Sequence, residues 1–123
     1  MVMMKASDLR IGDLVQNSFL NGPIKITYHE IRILEIGIEN HYAPIPLTEQ
    51  WLLRGGFTPS PFLNENILYS LGVLHLLHSD SPNSYGFSFD PENNSSWFTE
   101  VQYVHQLQNL YRSLTGQELE FKD

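Results

Sequence analysis

The clearest pattern of apolar and polar positions lies near the end of the chain, between Val101 and Gly116. Apolar residues recur there at steps of three and four, which places them on one stripe of a helix. They are Val101, Val104, Leu107, Leu110, Tyr111 and Leu114. Thr99 suits the N-cap, Glu100 suits the first turn, and Gly116 suits the stop because glycine adopts the left-handed conformation at little cost. The pattern predicts a helix over 100–115 that packs its stripe on the rest of the domain.

Alternating patterns earlier in the chain predict strands. Ser7 to Val15 is expected to be a turn that leads into a strand, and 24–28 and 31–38 are expected to be two more strands. They alternate apolar and polar residues, are rich in isoleucine and follow tight turns such as Asn21-Gly22-Pro23. Such segments favour an antiparallel meander.

A short helix is predicted over 48–55, with Thr48 as its cap and Gly55-Gly56 as its end. Leu47 and Leu52 have the spacing of a hydrophobic staple across the helix start. Residues 58–61, with two prolines, are expected to form a loop.

The apolar run 67–78 admits a strand pair or a buried helix, and Gly72 in its middle favours strands. Tyr85, Phe87 and Phe89 alternate as in a further strand. Leu119 and Phe121 alternate with glutamates as in a short edge strand.

Together these elements predict one α+β domain over 1–123. Its sheet would be small, antiparallel and strongly bent, an SH3-like barrel being one form of it. The short helix and the C-terminal helix would pack on this sheet.

Composition narrows the function. The net charge is -7, from 14 acidic and 7 basic residues, and no basic run offsets it, so duplex nucleic acid is not an expected partner. A single pocket that holds one or two arginines remains compatible. The absence of cysteine excludes disulfide and thiolate chemistry. No apolar stretch matches a membrane span or signal peptide, so we expect a cytoplasmic protein without membrane contact.

Catalytic and metal signals are weak. On a strand, His75 and His78 would point to opposite faces and could not share an ion, whereas on a helix they could. His105 lies beside the helical stripe, where a histidine bonded to a carbonyl or water is the ordinary reading and a pocket-lining donor the alternative. No phosphate loop or nucleophile motif is present, so the sequence predicts no cofactor, no metal site and no enzyme.

Five residues are candidates for binding a small ligand: Arg54, Tyr85, Trp97, His105 and Arg112. The aromatic rings could stack on a ligand ring, and the arginines could bind a carboxylate or phosphate. Each also has an ordinary structural role, the rings in packing and the arginines as charges near helix ends. Trp51, on the short helix, is read as a core residue.

Three motifs resemble a family of small uncharacterised proteins of Bacteroides-type bacteria and their phages and prophages. The motifs are LRIGDLV at Leu9 to Val15, PIPLTEQWLLRGGF at Pro44 to Phe57, and YVHQLQNLYRSLTGQEL at Tyr103 to Leu119. They fall at the start, middle and end of the chain. The family label brings no activity or catalytic residue with it.

The phage setting implied by this resemblance favours two kinds of function. The first is a non-enzymatic protein that sequesters a small nucleotide-like immune signal in the host cytoplasm, with aromatic residues and arginines in a pocket, often at a homo-oligomer interface. The second is a protein-interaction module that inhibits a host protein or serves as a virion accessory part. A hydrolase that uses His105 or His75 is a third, weaker hypothesis.

Overall fold

The computed structural model describes residues 9–17, 22–35, 42–61, 67–72, 74–78, 84–88 and 100–122. The strands in these residues are β1 (Leu14–Asn17), β2 (Gly22–Lys25), β3 (Tyr42–Ala43), β4 (Thr58–Pro61), β5 (Ile67–Leu71), β6 (Leu74–His78), β7 (Tyr85–Ser88) and β8 (Glu100–Val101). The helices are α1 (Tyr28–Glu35), α2 (Glu49–Arg54) and α3 (Val104–Thr115).

The described strands form two antiparallel sheets. One has the order β2-β1-β3 and the other is a meander, β4-β5-β6-β7-β8. A short ladder joins them, because the Leu47 N–H donates to the Gln102 carbonyl at 2.9 Å and the Val104 N–H donates to the Ile45 carbonyl at 2.9 Å. The α+β class is therefore confirmed. The two open sheets are joined by residues 45–47, which follow β3, and 102–104, which follow β8, and the described strands do not close into a barrel.

The main core lies between the five-stranded sheet and the two helices α2 and α3. Leu52 of α2, Leu76 of β6 and Leu107 of α3 are fully buried there. A smaller core under the three-stranded sheet contains Leu9, Val15 and Ile26. The helical stripe buries Val104 and Leu107 as predicted, whereas Leu114 at its end is 39% exposed.

Several predicted elements are confirmed. The run 67–78 is the hairpin β5–β6, and Gly72 takes a φ of +60° in its turn. Helix α2 begins after Thr48, which makes no side-chain capping bond, and both Leu47 and Leu52 are buried. Strand β7 includes Tyr85 and Phe87, while Phe89 lies outside the described residues.

The predicted strand over 31–38 is wrong, because Tyr28–Glu35 is helix α1. The Glu30 side chain caps its start by binding back to Thr27, which is one half of a capping box. The Glu30 carboxylate accepts the Thr27 amide at 3.1 Å and the Thr27 hydroxyl at 2.8 Å. This cap turns the chain into a helix after β2, which ends at Lys25 instead of continuing to Tyr28. Residues 36–38 lie outside the described part.

The predicted start of the C-terminal helix is also wrong. Glu100–Val101 is strand β8, paired with β7, and α3 begins at Val104. The Gln106 side chain accepts the backbone N–H groups of Gln102 (2.9 Å) and Tyr103 (3.2 Å), so it caps the helix there. Thr99 lies outside the described residues. The stop at Gly116 is confirmed by its left-handed φ of +73°.

Two further predictions are wrong. Residues 58–61 form the edge strand β4, which accommodates prolines because an edge N–H has no partner to lose. Residues 117–122 alternate in burial as predicted, with Leu119 buried, but they belong to no described strand. Lys122 instead bonds to the end of α2, as described below.

Candidate functional site

A cleft of about 660 Å³ opens between the three-stranded sheet, the end of α2 and the segment 117–122. Its charged lining residues are Lys25, Arg54, Glu118 and Glu120. Trp51 and Phe121 contribute aromatic rings, and Ile11, Leu14 and Leu119 contribute aliphatic surface. The lining therefore mixes aromatic and aliphatic surface with charged groups of both signs.

Arg54 is held firmly at this cleft. It is the last residue of α2, and its guanidinium lies 4.3 Å from the centre of the Trp51 ring. Its Nε donates to the Lys122 carbonyl at 2.9 Å. Phe121 packs edge-on against Trp51 with ring centres 5.2 Å apart. A stacked and hydrogen-bonded guanidinium loses little freedom when it binds an anion.

Arg112 lies behind one wall of the cleft. Its Nη2 is 2.5 Å from Glu118 Oε1 and donates to the Ile11 carbonyl at 3.1 Å. The hydrogen bond to Glu118 raises the pKa of Arg112. Arg112 therefore neutralises a carboxylate that would otherwise repel an anion in the cleft.

The basic residues of this acidic chain concentrate around the cleft. Of the seven, Lys25 and Arg54 line it and Arg112 pairs with Glu118, which also lines it, while Lys122 is bonded to Arg54 through its backbone only. The net charge of the whole chain therefore does not describe the charge inside this cleft.

Gln108 of α3 fixes the floor of the cleft. Its buried side chain accepts the Leu14 N–H at 2.7 Å and donates to the Gly12 carbonyl at 3.2 Å. Gly12 has a φ of +98°, a conformation that L side chains rarely adopt. These bonds hold the start of β1 against the helix.

Asp13 lies fully buried next to this floor. Its Oδ2 accepts the Arg10 N–H at 2.9 Å. Burial raises the pKa of Asp13, and the Arg10 amide and the Asn109 side chain partly offset that rise. Within the described parts of the chain, neither Asp13 Oδ1 nor Asn109 Oδ1 receives a hydrogen bond of good geometry.

The remaining sequence candidates lie elsewhere or outside the described residues. Tyr85 is buried in β7, packed edge-on against Tyr69 and 5.1 Å from the His78 ring. His105 is buried in α3 with its ring stacked 5.9 Å from the Tyr103 ring. Trp97 lies outside the described residues. The structure thus places Arg54 in the cleft and Arg112 behind its wall, but does not bring Tyr85 or His105 there.

The Tyr85 cluster includes a charged partner. The Tyr69 hydroxyl donates to the Glu49 carboxylate, and burial followed by this bond raises the pKa of Tyr69. Burial also raises the pKa of Tyr85. Both hydroxyls therefore stay neutral at physiological pH, and we interpret the cluster as part of the packing at the edge of the core.

His75 and His78 lie on opposite faces of β6, as the strand spacing predicted. His75 Nδ1 lies 2.7 Å from the Ser70 hydroxyl, its cross-strand neighbour. His78 contacts Tyr85 on the core side. Among the described residues, no group of three histidine or acidic side chains is placed to hold a metal ion.

Sequence reasoning missed Lys25, Trp51, Gln108 and Phe121 as parts of a site. The alternating pattern predicts Lys25 as an outward-facing strand residue, and the sequence predicts Trp51 as a core residue. The cleft joins segments far apart in the chain, so no local spacing identifies it. One available signal was the clustering of Trp51 and Arg54 on one short helix.

No protein-family model, curated protein or solved structure matches the chain. None of the helices in the described ranges has the length and apolar character needed to cross a membrane.

Proposed function

We propose that this chain is a non-enzymatic binding protein that captures a small nucleotide-like ligand in the cleft. One observation carries the proposal: Lys25 and Arg54 line the same cleft as the rings of Trp51 and Phe121. Phosphate groups suit the two cations, and a nucleobase suits an aromatic and guanidinium surface.

Size and charge support this ligand class. Small-molecule sites commonly enclose about 300–1,000 Å³, and the cleft volume of about 660 Å³ falls in that range. Arg112 pairs with Glu118, so Glu120 is the one cleft carboxylate that this ion pair leaves to oppose Lys25 and Arg54. The local balance is therefore more favourable to an anion than the net charge of -7 indicates.

Capture is favoured over turnover by the lining itself. The described residues that line the cleft include no serine, threonine, cysteine or histidine side chain that could act as nucleophile or imidazole base. The proposal that the ligand is a host immune signal, bound in the host cytoplasm, rests on the resemblance to phage-borne proteins.

The test is a thermal-shift screen of the full chain against cyclic di- and trinucleotides and ADP-ribose derivatives, followed by calorimetric titration. A ligand present at about 100 times its Kd stabilises the folded chain by about 2.7 kcal/mol, which raises the melting temperature measurably. The bound nucleotide should be recovered intact. Hydrolysis of the ligand would instead identify an enzyme.

Matched charge variants locate the binding. Arg54→Gln and Lys25→Gln should each weaken binding at least about tenfold, since each removes a charged hydrogen bond. Arg32→Gln makes the same change of charge on an exposed position of α1 outside the cleft, and should bind as the parent does. Equal losses in all three variants would show that the cleft is not the site.

A protein-interaction module is the second candidate, favoured by a different feature. An apolar hollow of about 200 Å³ lies between the β5–β6 turn and the end of α3, lined by Leu71, Leu74 and Tyr111. Leu114 beside it is 39% exposed. Under this reading, Leu114→Asp would abolish association with a host protein and leave any nucleotide-induced thermal shift unchanged.

A further inference from the structure

The proposed cleft presents a carboxylate as well as two cations. All four residues from Glu118 to Phe121 line the cleft, and the two glutamates contribute its carboxylates. Glu118 is paired with Arg112. Glu120 has no ion pair with any residue in the described ranges.

A ligand that fills this cleft must therefore carry groups of both kinds. Its anionic end would bind Arg54 and Lys25, and the part that meets Glu120 must donate hydrogen bonds. An acceptor placed against Glu120 would leave a partly desolvated carboxylate without a partner, which is costly. A ligand that carries only anionic groups would therefore not complement this wall of the cleft.

We infer that the cleft selects guanine nucleotides and that Glu120 is the residue that reads the base; this rests on the proposed function. The Watson–Crick edge of guanine carries two adjacent donors, N1–H and the N2 amino group. Those donors match the two oxygens of one carboxylate in a bidentate arrangement. Adenine, cytosine and uracil each place an acceptor beside their donor on that edge, so one carboxylate oxygen would face a lone pair.

The neighbouring contacts favour Glu120 over Glu118 as the residue that hydrogen-bonds the base. One oxygen of Glu118 is committed to Arg112, and its other oxygen lies 3.7 Å from the position that a Cβ on Gly12 would occupy. Both glutamates are exposed, but Glu118 is committed to Arg112 beside Gly12, whereas Glu120 forms no ion pair with a residue in the described ranges.

The experiment compares Kd values for GMP, IMP, AMP and UMP with the full chain and with Glu120→Gln. IMP differs from GMP only by the missing N2 amino group, so it is the matched ligand. We expect GMP to bind about tenfold more tightly than IMP, as the loss of one hydrogen bond to a charged group predicts. Glu120→Gln should remove most of this preference, while its affinity for AMP stays equal or improves because a negative charge is lost.

The outcomes separate the two proposals. Preference for GMP that disappears in Glu120→Gln supports the inference. Binding of all four nucleotides with similar affinity, or a Glu120→Gln variant that weakens all of them equally, overturns the guanine assignment and leaves nucleotide capture standing. Absence of binding by these nucleotides and by their cyclic dimers overturns both.

Discussion

Arg54 and Lys122 are joined by two hydrogen bonds, although they lie far apart in the sequence. The Lys122 N–H donates to the Arg54 carbonyl at 2.8 Å, and Arg54 Nε donates to the Lys122 carbonyl at 2.9 Å. The segment 117–122 is thereby fixed to the end of α2 and forms one wall of the cleft. The same arginine holds the wall and presents a cation to the cleft.

Arg54→Ala should loosen this segment. The variant loses the Nε bond and the stacking on Trp51, so we expect a loss of about 1–2 kcal/mol in the free energy of unfolding. Hydrogen exchange of the Lys122 amide should accelerate. Arg54→Lys keeps the charge without the planar fork and should recover only part of the protection. Unchanged exchange in Arg54→Ala would show that Leu119 and Phe121 hold the segment without it.

Gln108 is expected to contribute more to stability than its polar character suggests. Gln108→Leu keeps the approximate volume but leaves the Leu14 N–H and the Gly12 carbonyl without their partner. Each unsatisfied buried group costs about 1–3 kcal/mol, so we expect the free energy of unfolding to fall by at least about 2 kcal/mol. Urea denaturation of the parent and the variant measures this change in the free energy of unfolding. Ser113→Ala, at an exposed position of the same helix, should change it by less than about 0.5 kcal/mol.

The sequence predicted elements best where one local pattern acted alone. The stripe of α3, its glycine stop and the hairpin around Gly72 all followed from periodicity and local conformation. At α1 two local signals competed, and the cap formed by Glu30 on Thr27 prevailed over the alternation of isoleucines. The sequence carries this signal as a threonine followed three positions later by a glutamate.

The start of α3 and the cleft depend on contacts between distant segments. Residues 102–104 pair with 45–47, which delays the helix, and nothing near Glu100 signals that pairing. The cleft combines Lys25, Arg54 and Glu120 from three separate parts of the chain. The chemistry of Arg54 and Arg112 makes them candidate ligand-binding residues from the sequence alone. Their proximity to the same cleft results from the tertiary fold.

Asp13 gives a prediction about pH. Its pKa is raised in the folded chain because burial disfavours the carboxylate. The folded state therefore binds its proton more tightly than the unfolded state, whose aspartate has a pKa of about 3.9. The stabilising contribution is fully present below that value and is lost as the pH rises through the higher folded pKa.

Asp13→Asn tests this assignment. The asparagine oxygen can still accept the Arg10 N–H, and the variant places no carboxylate in this buried position. We expect a gain of about 1 kcal/mol at neutral pH and a flatter dependence of stability on pH above about 4. Denaturation at a series of pH values measures both. A variant less stable than the parent at neutral pH would mean that the Asp13 charge is used favourably by Arg112.

The outer strands of the joined sheets carry prolines, which bears on self-association. Strand β2 contains Pro23 and strand β4 contains Pro59 and Pro61. A proline on an edge strand removes an outward N–H and so weakens pairing with a second chain. We therefore expect any oligomer of this protein to form through another surface.

Pro59→Val with Pro61→Val should restore two donors to the β4 edge and raise the apparent mass in light scattering at high concentration. Thr58→Val with Ser60→Val adds similar β-propensity to the same strand but keeps both prolines, and should leave the mass unchanged. If both double variants associate equally, added apolar surface and not the missing donors controls the edge.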